Sequence, residues 1–98
     1  MNIIDKYPSL SYFLRCYLNQ DFEVLFGSAD GALDAYISTE NEDERLCLRD
    51  EINKLLALSL DDSELEDIIL NKVDCSYYYP NEWRTAKDWF EHICKKID

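Results

Sequence analysis

The same five-point stripe of apolar side chains occurs twice in the first 37 residues of this chain. Leu10, Phe13, Leu14, Tyr17 and Leu18 fall at i, i+3, i+4, i+7 and i+8, and Ala29, Ala32, Leu33, Tyr36 and Ile37 repeat the pattern. That spacing lines one face of an α-helix. Three further stripes follow: Leu48, Ile52, Leu55 and Leu56; Leu65, Ile68, Ile69 and Val73; and Ala86, Trp89, Phe90, Ile93, Cys94 and Ile97. Only two Gly and two Pro occur in 98 residues, so few reversals carry the strongest breakers, which disfavours a many-turn sandwich. The pattern predicts an all-α fold: a single domain over residues 1–98, built as a compact bundle of about five short amphipathic helices.

The boundaries follow from local chemistry. The first helix is expected over residues 9–18, with Pro8 at its mouth, where a missing N–H costs little. Residues 19–27 read as a packed-down connection whose only strand-like stretch, 23–26, is too short to seed a sheet. Ser28 suits the N-cap of the second helix. The third starts between Thr39 and Glu42, with Glu42, Asp43 and Glu44 in a first turn where the helix dipole favours acids. Asp61 or Asp62 caps the fourth. After a loop over 74–81, the last helix is expected over 82–97, with Lys95 and Lys96 in its final turn.

Charge constrains the partner. The chain has 21 Asp and Glu against 10 Lys and Arg, a net charge of -11, yet 47% of it is hydrophobic. A disordered acidic tail lacks that apolar content. Such a surface repels phosphates and attracts basic proteins, so nucleic acid is not an expected partner. Segments 1–38 and 39–57 each carry net -3, 58–74 carries -5, and 75–98 is neutral. The densest run is Asp61-Asp62-Ser63-Glu64-Leu65-Glu66-Asp67, with Glu40, Glu42 and Asp43 as a second cluster. Each acid alone is compatible with a merely solvated helix face. The ensemble costs stability through self-repulsion, which points to a use for the field, such as steering a basic partner.

Reactive chemistry is poorly represented. Cys16, Cys47, Cys75 and Cys94 are widely separated, no C-x-x-C occurs, and His92 is the only histidine, so no metal site is expected. The cysteines read as reduced thiols, mostly buried. There is no Gly-rich phosphate loop and no Glu-x-x-His motif, hence no expected cofactor or small-molecule substrate. Cys75 with His92 is the one nucleophile–base pair a small enzyme would use, and a non-enzymatic role is favoured over it. No transmembrane stretch or signal peptide is visible, so the expected compartment is the cytoplasm, with no membrane partner.

Two strings remain. In Tyr77-Tyr78-Tyr79-Pro80, successive side chains of an extended loop alternate, so at least one ring points outward, either as a binding anchor or merely half exposed while the others pack the loop onto the bundle. In Asn19-Gln20-Asp21-Phe22-Glu23, Asp21 suits a turn cap and Phe22 a core plug, with partner contact by Gln20, Asp21 and Glu23 as the alternative.

Tyr7-Pro8-x-Leu10-x-x-Phe13-Leu14-x-x-Tyr17-Leu18-x-Gln20-Asp21-Phe22 resembles the opening motif of a family of contact-dependent growth inhibition (CDI) immunity proteins. The resemblance continues through Gly27-Ser28, Ala32-Leu33, Leu55-Leu56, Ser63-Glu64-Leu65, Cys75-x-Tyr77-x-x-Pro80 and Trp89-Phe90-x-x-Ile93, and so spans nearly the whole chain. The stretch after Pro80 departs from it, with only Asn81-Glu82 where a longer loop is expected before the last helix. A looser similarity, Tyr78-Tyr79-Pro80, is to the colicin nuclease immunity proteins, as analogy. The resemblance implies a small helical protein that binds the C-terminal toxin domain of a CDI effector in a one-to-one complex, the toxin being a basic nuclease with an RNase favoured. The alternative is an acidic DNA mimic or regulator that binds other basic proteins. The expected contact set is Asp21, Glu23, Glu40, Glu42, Asp43, Asp61, Asp62, Glu64, Asp67, Tyr77 and Tyr78, with the tyrosines as anchors.

Overall fold

The computed structural model describes residues 3–98. They form helices α1 (Ile3–Lys6), α2 (Pro8–Tyr12), α3 (Phe22–Phe26), α4 (Ala29–Thr39), α5 (Glu42–Leu56), α6 (Asp62–Glu66) and α7 (Ala86–Ile97), with no strand among the described residues. α2 runs on into a π-helical segment, Phe13–Tyr17, and α6 into another, Asp67–Lys72; a 3₁₀ turn, Tyr79–Asn81, precedes α7. The all-α bundle expected from the stripes is the one observed, with seven α-helices among the described residues where about five are expected.

α5 is the central element and packs against both α2 and α7; α3 packs on α4, and α6 on α7. The stripe residues meet in one core. Leu10, Phe13, Leu14, Leu18, Leu33, Leu48, Ile52, Leu55, Ile69, Phe90 and Ile93 are all buried. Two aromatic groups anchor its ends. At one, Phe13 and Tyr17 lie edge-on to Tyr36, with ring centroids 5.1 and 5.2 Å away. At the other, Trp89 meets Tyr77 edge-on at 5.2 Å and stacks on Tyr79 at 5.7 Å.

Acids hold the first group in place. The Glu51 carboxylate accepts the backbone N–H groups of Ser9 (3.2 Å) and Leu10 (2.9 Å), so α5 supplies the cap that the start of α2 lacks, Tyr7 offering none from its side chain. Glu44 accepts from the Tyr36 hydroxyl at 2.6 Å, and Glu40 from Tyr12 and Tyr17 at 2.8 and 2.6 Å. Burial, and then the Glu44 carboxylate, raises the Tyr36 pKa far above the ordinary phenol range; burial and Glu40 do the same to Tyr17, so both stay protonated donors. Replacing Glu51 with alanine leaves two helix N–H donors without their acceptor. The expected cost is about 2 kcal/mol, seen as a lower thermal midpoint that Glu51→Gln partly restores.

Four expectations need correction. Residues 22–26 form a helix, α3, because only Phe22 and Phe26 turn toward the core, four residues apart, while Val24 and Leu25 do not. The short α1 was not foreseen. α7 starts at Ala86 and not at 82, since the N–H groups of Glu82 and Trp83 donate to the Tyr79 carbonyl in the 3₁₀ turn. The helix then restarts on a Thr85 cap, with the Asp62 carboxylate accepting the Ala86 N–H at 2.8 Å. Lastly, Cys16 and Cys47 are exposed, Cys94 is half-buried, and Cys75 alone is buried.

Candidate partner-binding surface

The loop from Cys75 to Tyr79 alternates as an extended chain must: Cys75, Tyr77 and Tyr79 point in, Ser76 and Tyr78 point out. Tyr78 is 52% exposed, whereas Tyr77 is 5% exposed. Of the two tyrosines expected as anchors, only Tyr78 has an exposed ring. Tyr77 lies under the loop, edge-on to Phe22 at 5.7 Å, and its hydroxyl donates to Glu82 at 2.7 Å. Burial and the Glu82 carboxylate push its pKa well up.

Across from this loop, α3 and the start of α4 form the second wall of a groove of about 420 Å³. Phe22, Glu23, Gly27 and Ser28 line one side, and Ser76, Tyr77, Tyr78, Asn81 and Glu82 the other. The fold thus brings together the two strings singled out in the sequence, 55 residues apart between Glu23 and Tyr78. Asp21 is exposed at the mouth of α3, where its backbone N–H donates to the Asn19 side chain at 2.9 Å. Gly27, with φ +83°, makes the reversal that turns α3 back into α4, and Ser28 caps α4 by accepting the Gly31 N–H at 3.0 Å.

The acidic candidates divide by what they already hold. Asp61 is the N-cap of α6, accepting from the Glu64 N–H at 2.8 Å and the Ser63 hydroxyl at 2.8 Å; Asp62 caps α7 as described. Glu40 serves the two tyrosines. Glu42, Asp43, Glu64 and Asp67 stand exposed, Asp67 holding only the Asn71 amide at 2.8 Å. Charge counting could not find this division, nor the inward service of Glu44 and Glu51, because acceptor geometry leaves no trace in composition.

The Glu64 N–H, and then the Ser63 hydroxyl, hold the Asp61 carboxyl below its ordinary value. A depressed native pKa means the contribution is complete above the unfolded value, about pH 4, and fades as pH falls through the native one. Asp61→Ala is therefore expected to lower the thermal midpoint at pH 7, with the gap to the parent closing toward pH 2. A gap constant across that range would contradict the cap.

The enzyme alternative finds little support in the site chemistry. Cys75 is buried with its thiol pushed up to about 12, chiefly by burial, and a thiol held protonated is a poor nucleophile. His92 pairs with Asp30 at 2.9 Å and lies against Trp83. Among the described residues no cluster of His, Cys, Asp and Glu could hold a metal ion, and no helix is long and apolar enough to cross a membrane.

The described residues thus form a small all-helical domain with a groove rimmed by acids. Residues 6–97 match the family model of the CdiI immunity protein, and the chain belongs to that family. It is similar to a chain in the crystal structure of a CdiA-CT/CdiI complex from Y. kristensenii 33638: 63% identical, TM-score 0.96, covering 99% of this chain and 98% of that one. No curated protein matches it.

Proposed function

We propose that this protein binds the C-terminal toxin domain of a CdiA effector and neutralises it by stoichiometric, non-covalent association. The observation that carries this reading is the 63% identity, over nearly all of both chains, to a chain from a CdiA-CT/CdiI complex. The toxin is a basic nuclease, most simply an RNase, the complex is one-to-one, and the protein acts in the cytoplasm without catalysing a reaction. The surplus of acids supports that choice: a nuclease that grips phosphates is basic in its cleft, and net charge -11 steers an inhibitor to it. Complexes of this kind reach the top of the non-covalent affinity range. The test is a titration of the purified cognate toxin domain with this protein in an RNA-degradation assay. Degradation falls linearly to zero at one equivalent. A toxin domain that forms the complex but cleaves no RNA overturns the RNase assignment. Equal inhibition of unrelated basic nucleases would instead indicate an acidic mimic.

A further inference from the structure

The groove between α3 and the tyrosine loop has features that the α6 acidic run lacks. Its floor is rigid and aromatic, because Phe22 and Tyr77 are locked edge-on and Tyr77 is backed by Trp89. Its rim carries the carboxylate of Glu23, that of Glu82, which already accepts from the Tyr77 hydroxyl, and the outward Tyr78 ring; among the described residues no Lys or Arg lines it. Beside it on α3, Val24 is 88% exposed and Leu25 60% exposed. These are adjacent apolar side chains left open on a helix that turns only its two phenylalanines toward the core. In α6, Asp61 and Asp62 each already accept a helix N–H, and neither is joined by an apolar surface of this kind.

We propose that this groove is the anchor of the toxin interface, and that it takes an arginine or lysine of the toxin domain flanked by an aliphatic residue. The inference rests on the toxin-binding reading above. The cation lies against the face of Tyr78 and between the Glu23 and Glu82 carboxylates, while its aliphatic neighbour covers Val24. An aromatic face with carboxylates nearby is an environment that desolvates a cation at low cost. Buried anchors of this type govern dissociation, whereas rim charges govern association. The exposed acids of α6 therefore steer and the groove holds.

The experiment is binding kinetics of the cognate toxin domain against the parent protein and five variants, each checked for an unchanged circular dichroism spectrum. Tyr78→Ala and Val24→Asp are expected to speed dissociation at least about tenfold, Tyr78→Phe to leave it nearly unchanged, and Glu23→Lys to weaken binding by a similar factor. Glu64→Lys is expected to slow association at low salt and to leave dissociation within about twofold. Parent-like dissociation from the Tyr78→Ala and Val24→Asp variants, with the parent binding tightly, overturns the groove and leaves the toxin-binding reading standing. Groove variants that change self-association of this chain and not toxin binding overturn it in favour of a second copy. No binding by the parent overturns both.

Discussion

Replacing Trp89 with alanine is expected to lower the thermal midpoint by more than about 12 °C. Trp89 is 2% exposed and is the hub of the second aromatic group, with Tyr77, Tyr79 and Phe90 rings at 5.2, 5.7 and 5.6 Å. Truncating a fully buried tryptophan costs about 3–5 kcal/mol, the lost transfer energy plus the cavity left behind. For a domain of this size each kcal/mol moves the midpoint by about 4–8 °C. Against a total stability of about 5–15 kcal/mol, the variant sits near the limit of folding. The loop that carries Tyr78 rests on Trp89 through Tyr77 and Tyr79, so urea unfolding and protease sensitivity of the loop should worsen together. A melting curve within a few degrees of the parent would mean that the loop and α7 are not stabilised through this ring.

The second large effect is expected at Gly31, which lies inside α4 at a position where its conformation is not what requires glycine. A Cβ there would sit 2.1 Å from the Phe26 carbonyl oxygen and 3.1 Å from its carbon, both backbone atoms of α3 that cannot rotate away. Alanine is normally the better helix former by about 1 kcal/mol. Here the clash must push α3 off α4, opening the reversal at Gly27 and moving Phe22 and Phe26 off the core. Gly31→Ala is expected to destabilise by about 3 kcal/mol, a reversal of the usual glycine-to-alanine gain, read by urea unfolding. Since Glu23 and Val24 ride on α3, toxin binding should weaken as well. A variant as stable as the parent would show that α3 moves freely on α4 and cannot be a rigid wall of the groove.

These two residues also show what the sequence could reveal. Trp89 was legible: it falls in a stripe with Phe90 and Ile93, and periodicity assigns such a residue to the core whatever its partners. So was the Ser28 cap, and the cap of α6 down to a choice between Asp61 and Asp62, which the structure resolves as Asp61. Gly31 was not legible, because its role is a backbone approach between two helices, which depends on the angle at Gly27. α3 was missed for a related reason. Its five residues turn only Phe22, buried, and Phe26, half-buried, toward the core, and the apolar Val24 and Leu25 between them obscure the helical period. The π-helical segments likewise have no sequence signature, as wide turns accommodate the same stripe.

The candidate site was half legible. The alternation of the Tyr77-Tyr78-Tyr79 run requires an outward ring, and Tyr78 is that ring. Which tyrosine points out follows from the register of the extended loop, and that is set by Cys75 and Tyr79 packing inward. That the two strings face each other across a groove is a tertiary fact. The dense acid at Asp61 and Asp62 attracts attention in composition, but the fold uses both carboxylates to start helices.

The most direct measurement of the central claim is growth of a bacterium expressing the cognate toxin domain, with and without this protein, followed by purification through a tag on the toxin. Neutralisation by binding predicts that growth stops with the toxin alone, resumes when the protein is co-expressed, and that the two chains co-purify. Growth arrest that persists although the folded protein is present, with no chain retained on the toxin, would contradict it.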